Sequence, residues 1–171
     1  MLSRRRFVLA AAGTVVPAFA GIRPAAALPA PTERVVLTVA GAIRERNGDA
    51  GARFDMAMLR ALPRTTLRTA TPWTAGPQSF EGVLLRDLLA TLGATGTSLK
   101  ARALNDYEVT IPVAEAARYP LLVADTQNGQ PMSVRERGPL WIIYPLDDHR
   151  ELQQPEFHSR MIWQLARLTV V

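Results

Sequence analysis

Residues 67–94 read LRTATPWTAGPQSFEGVLLRDLLATLGA. The segment Thr65–Thr71 alternates loosely and is rich in β-branched residues, which predicts a strand. The run from Thr71 to Pro77 has no period and holds two prolines and a glycine, so it predicts a turn. Leu84, Leu85, Leu88, Leu89 and Leu92 recur at helical spacing, which predicts a helix over Val83–Leu92. Gly93 then suits the position just past its end. Trp73, one of only three tryptophans in the chain, stands in the turn. There it is either a ring offered to a ligand or a lid folded back onto the core.

The pattern extends in both directions. Upstream, Val35, Leu37 and Val39 alternate in a half-buried strand over Arg34–Ile43, and residues 44–52 turn at Asn47-Gly48. A short helix opens near Phe54–Leu59, with Asp55 as its cap and Phe54 stapled to Leu59, and Pro63 ends it. Downstream, Leu99–Leu104 and Tyr107–Ile111 read as strands joined by an Asn105-Asp106 turn. Val113–Ala117 reads as a helix, Leu121–Asp125 as a buried strand, and Asn128-Gly129 as a tight turn. After an irregular loop over 131–139, Leu140–Tyr144 reads as a central strand. Residues 145–158 are a polar loop, Ser159–Ala166 a helix, and Arg167–Val171 a closing strand. Strands outnumber helices and do not alternate strictly with them. The expected fold class is a single α+β domain with mixed sheets and short helices, not a doubly wound sheet.

The 171 residues allow one domain with a real core, and 48 % apolar content argues against disorder. The start, MLSRRRFVLAAAGTVVPAFAG, has a basic n-region, a short apolar run and small-residue cleavage sites. It predicts an export signal of the twin-arginine type over 1–27, cleaved after Ala20 or Ala27, leaving residues 28–171 as the domain. The expected location is the periplasm. Removing the signal leaves sixteen basic and fifteen acidic residues, so the charge of +5 belongs mostly to the signal. A nucleic-acid partner is not expected, because that binding needs a phosphate-neutralising surface. The chain has no cysteine and two histidines. That excludes thiolate metal ligands, a CxxC redox pair and a cysteine nucleophile. Neither Ser133 nor Ser159 lies in a GxSxG setting, which argues against a hydrolase.

Five motifs occur in order: FDMAMLRALP (54–63), FEGVLLRDLLATLGA (80–94), ALNDYEVTIPVAEA (103–116), LLVADTQNGQPM (121–132) and GPLWIIYP (138–145). Together they resemble the molybdopterin-binding domain of the sulfite-oxidase family, a hairpin-rich α+β fold, over nearly the whole chain from Val35 onward. The departures are specific. The family's molybdenum-ligating cysteine follows the Thr-rich strand, where this chain has LRTATPWT. A phosphate-holding arginine is replaced by Trp141. A Lys- and Gly-rich segment is replaced by PLDDHRELQQPEFHSRMIWQ. The combination of TPWT, ALNDY, RERGPLWIIYP and SRMIWQL resembles a smaller group of Cys-less periplasmic proteins, some of which are pterin receptors. They report a reduced pterin to a membrane enzyme that makes and degrades cyclic di-GMP. The resemblance implies a non-catalytic pterin-binding protein, with pterin as ligand, no molybdenum, and the periplasmic domain of such an enzyme as partner. Two other readings stand beside it: a molybdopterin-dependent oxidoreductase, or its remnant, lacking the metal ligand; and a partner-binding module without a small ligand.

A pterin is a flat, polar bicycle that needs a ring face to stack on and polar groups at its edge. Trp73, with Thr71 beside it, is the candidate face. Asn105, Asp106 and Tyr107 are candidates at a strand junction, Asp106 to accept the pterin N–H groups or else to shape its own turn. Arg135, just ahead of Arg137, is a candidate donor to the pterin oxygen or a ligand phosphate, or else a solvated loop residue. Arg160 and Trp163, three apart, would share one face of a helix and close the pocket or seal the last strand. Trp141 and Tyr144 read as core. Met56 and Met58 read as helix packing.

Overall fold

The computed structural model describes residues 28–171, so the expected export signal lies outside the described residues. In chain order the elements are β1 (Leu37–Gly41), β2 (Ala52–Phe54), α1 (Met56–Arg60), β3 (Arg64–Thr69), β4 (Gln78–Leu84) and α2 (Leu85–Thr91). Next come β5 (Ser98–Ala103), β6 (Glu108–Pro112), α3 (Val113–Arg118), β7 (Leu122–Gln127) and β8 (Gln130–Pro131). The chain ends with β9 (Trp141–Ile143), α4 (Pro155–Arg160) and β10 (Leu165–Val170). Two sheets result, one mixed and one wholly antiparallel, in the α+β arrangement expected. One runs β2-β1-β10-β5-β6, with β1 and β10 parallel. The other runs β3-β4-β7-β8, and β9 also pairs with β7.

Several local signals act as their chemistry dictates. Asp55 caps α1 by accepting from the Met58 N–H at 2.8 Å, and it also accepts from the Thr32 and Glu33 N–H groups. The Met58 bond, with the other two, holds the Asp55 carboxyl below its ordinary range despite its burial. Gly93 follows α2 at φ +58°, the left-handed position that ends helices. Asn128 and Gly129, at φ +50° and +75°, make the two-residue turn between β7 and β8.

Three expectations are corrected. The helix predicted from Val83 begins at Leu85, and residues 78–84 are instead strand β4. This strand pairs β3 along one edge and β7 along the other, and a register shift between Glu81 and Gly82 breaks the alternation that would mark it. Gly82 belongs there because a Cβ would sit 2.0 Å from the Val123 carbonyl oxygen. The turn predicted over 44–52 reaches only to Gly51, and Ala52 opens β2 against β1. The helix predicted over Ser159–Ala166 is absent. Pro155, favoured in a first helical turn, starts α4 earlier, and it ends at Arg160. Residues 161–165 run extended against 140–142: the Ile142 N–H donates to the Ile162 carbonyl, and the Leu165 N–H donates to the Leu140 carbonyl. Tertiary pairing overrides the helical spacing. Arg160 and Trp163 therefore share no helix face.

The apolar core is continuous from Leu37 and Val39 through Leu85 and Leu88 to Trp141, Ile142 and Leu168, all fully buried. Besides Asp55, one more carboxylate is buried. Asp125 on β7 is bonded in bidentate fashion by Arg64 of β3 and approached by Arg60 of α1 at 3.5 Å. Burial pushes the Asp125 carboxyl up, but Arg64, the Thr126 hydroxyl and Arg60 together outweigh it and hold it below its ordinary range.

Candidate functional site

The turn after β3 is built by its threonines. Thr71, buried, accepts from the Trp73 N–H at 3.2 Å, while its own N–H donates to the Thr74 hydroxyl at 3.0 Å. The base of the loop is tied to Asp147, which accepts from the Ala70 N–H at 2.8 Å, while the Asp147 N–H donates to the Thr69 hydroxyl. This is a stiff local frame. It presents Trp73 to the other two tryptophans. The Trp73 and Trp163 rings meet edge to face, centroids 4.9 Å apart at 85°. Trp141 lies 6.1 Å from Trp73 and 6.3 Å from Trp163, with Phe80 at 5.5 Å from it. Trp141 is fully buried and its indole N–H donates to the Met161 carbonyl at 2.9 Å. Trp73 and Trp163 stay partly exposed.

Those two rings border a cavity of about 260 Å³. Ala103, Met161 and Ile162 add apolar lining, and Asn105, Tyr107, His158 and Ser159 supply polar groups. No carboxylate or guanidinium is among the lining residues. Asn105 Oδ1 accepts from the Tyr107 N–H at 3.2 Å, which leaves the Asn105 amide donors for a ligand. Trp163 also borders a broader polar groove of about 710 Å³ that holds Arg135, Arg137 and Glu136. Arg137, at φ +73°, lays its guanidinium over Trp141 and Trp163 at 5.5 and 5.9 Å.

Four of the eight sequence candidates converge on the cavity: Trp73, Asn105, Tyr107 and Trp163. Thr71 does not line it but fixes the Trp73 loop. Asp106 stands at the apex of the β5–β6 turn at φ +65°, its side chain 84 % exposed and 3.6 Å from Arg102. It does not line the cavity, and only its backbone N–H bonds within the turn, to the Ala103 carbonyl. Arg135 lies in the neighbouring groove. Arg160 lines neither, being bound to Glu115 and Glu156. The sequence reading missed Ala103, His158, Ser159, Met161 and Ile162 as lining. His158 and Ser159 fell at the border between an expected polar loop and an expected helix, and they reach the cavity from α4, His158 half-buried and Ser159 exposed.

One mixed and one antiparallel sheet, with short helices and a pocket beside the turn after β3, make an α+β domain. Residues 33–146 match the oxidoreductase molybdopterin binding domain, and the chain belongs to that family. Among solved structures it is similar to the sulfane dehydrogenase SoxCD from Paracoccus pantotrophus, with a TM-score of 0.58 and 19 % identity. That match covers 78 % of this chain and 37 % of the SoxCD chain, so the likeness is one of fold. No curated protein sequence matches the chain.

Proposed function

We propose that this protein is a non-catalytic pterin-binding protein of the periplasm. In this reading it reports the pterin to the periplasmic domain of an inner-membrane enzyme that makes and degrades cyclic di-GMP. The observation that carries the ligand class is the Trp73–Trp163 pair bordering a neutral, mostly apolar cavity, beside the loop where the family resemblance calls for a metal-holding cysteine. The export and signalling parts rest on the first 27 residues and on the resemblance to the small Cys-less group.

The residues present fit the pterin half of the family's cofactor and not its metal half. When bound, such a cofactor supplies two-electron redox chemistry at molybdenum, which needs a soft anionic donor from the protein in this family. The chain has no cysteine, and among the described residues no three His, Asp or Glu side chains gather as a metal site. At the corresponding loop stands Trp73, which offers a ring face. Ring stacking there contributes on the order of 0.5–1.5 kcal/mol beyond burial. Asn105, Tyr107, His158 and Ser159 would pair the heterocycle's edge.

The test is mass spectrometry of small molecules released from protein purified out of its native compartment, with molybdenum measured on the same sample. A pterin without stoichiometric molybdenum supports the reading. Stoichiometric molybdenum overturns it and returns the protein to the oxidoreductases that its family description names.

A further inference from the structure

Helix α4 brings His158 and Ser159 to the cavity, yet buries none of its own side chains. Phe157, His158 and Arg160 are half-buried and the rest are exposed. The helix's apolar hold is Phe157 alone, half-buried against the core, which is slight for a six-residue helix. One polar knot adds to that hold. Arg160 donates through Nη1 to Glu115 Oε1 at 2.5 Å and through Nη2 to Glu156 Oε1 at 2.5 Å. The Tyr144 hydroxyl donates to the other Glu115 oxygen at 2.8 Å. The Arg160 guanidinium covers the Phe157 ring at 5.5 Å, and that ring meets Tyr144 at 6.0 Å. The side chains of Arg160 and Glu115 are each 15 % exposed, so salt screens them little. Burial, with the Glu115 carboxylate as acceptor, pushes the Tyr144 phenol far above its ordinary range, so it remains a donor. A single carboxylate thus joins α3, the end of β9 and α4.

We infer that Glu115 and Arg160 are positioning residues of the cavity: their ion pair latches α4 in place as one wall, and releasing it lets α4 swing away. Arg160 acts through the helix that carries His158 and Ser159, without touching the ligand. Only the choice of ligand probe rests on the pterin reading.

Glu115→Gln keeps the shape and a hydrogen-bond acceptor while removing the charge. Arg160→Met removes the pair, and Arg160→Lys keeps half of it. Hydrogen exchange on the ligand-free protein reads the latch directly. In Glu115→Gln and Arg160→Met, exchange over residues 155–160 rises by roughly tenfold while β7 and β10 keep their protection, and Arg160→Lys falls between. Stopped-flow tryptophan fluorescence with 7,8-dihydroneopterin shows both association and dissociation accelerated, dissociation by roughly tenfold. Unchanged exchange over 155–160 in both variants overturns the latch. A uniform loss of protection across the chain also overturns it, since the pair would then be a general stabiliser. If the wild-type protein does not bind the probe, the pterin reading fails and the exchange result alone decides the latch.

Discussion

Trp73 sits in a turn because the turn aims it. Thr71 and Thr74 fix the loop from inside, and the ring meets Trp163 edge to face. Trp73→Ala is expected to weaken binding of 7,8-dihydroneopterin by roughly tenfold, the stacking term plus lost burial. The fold should persist at some loss of melting temperature, because the ring packs on Trp141 and Trp163. Titration calorimetry and thermal melts check both. Asp106→Ala is expected to leave affinity unchanged, since that side chain is 84 % exposed at the turn apex. Asn105→Ala, two residues from Tyr107 on the cavity rim, is expected to weaken it. All three tryptophans of the chain belong to one cluster, so a bound pterin should quench most of the intrinsic emission.

The elements legible in the sequence were those whose local signal agrees with their tertiary role. The Asp55 cap, the Leu85–Leu88–Leu89 face of α2, Gly93 past its end and the Asn128-Gly129 hairpin all fall in this class. What stayed hidden was decided by partners far along the chain. Strand β4 has its alternation broken by a register shift between Glu81 and Gly82. Residues 161–165 look helical until pairing with 140–142 overrides their spacing. His158 and Ser159 reach the cavity from α4, a helix that lies earlier in the chain than the spacing predicts. The buried Asp125 ties β3, α1 and β7 and gives a prediction at this scale. Its folded carboxyl lies below the unfolded value, so its contribution is fully present above about pH 4 and is lost as pH falls through the lower folded value. Asp125→Asn is expected to cost about 2 kcal/mol at pH 7, because Arg64 loses a charged partner. Below about pH 4 the gap to wild type should narrow, as denaturant melts across pH will show.

At the scale of the whole molecule, the family frame is kept, and on our proposal the family's metal chemistry is not. The sheets and their order keep the molybdopterin-binding architecture over residues 33–146. The loop after β3 holds Trp73, and the residues lining the cavity beside it carry no carboxylate or guanidinium. On our proposal this frame recognises a pterin without its metal. The decisive measurement takes one sample, purified from its native compartment, and determines its released small molecules and its molybdenum content together. The account predicts a pterin close to stoichiometric with the protein and molybdenum far below it. Molybdenum at one atom per chain would contradict it.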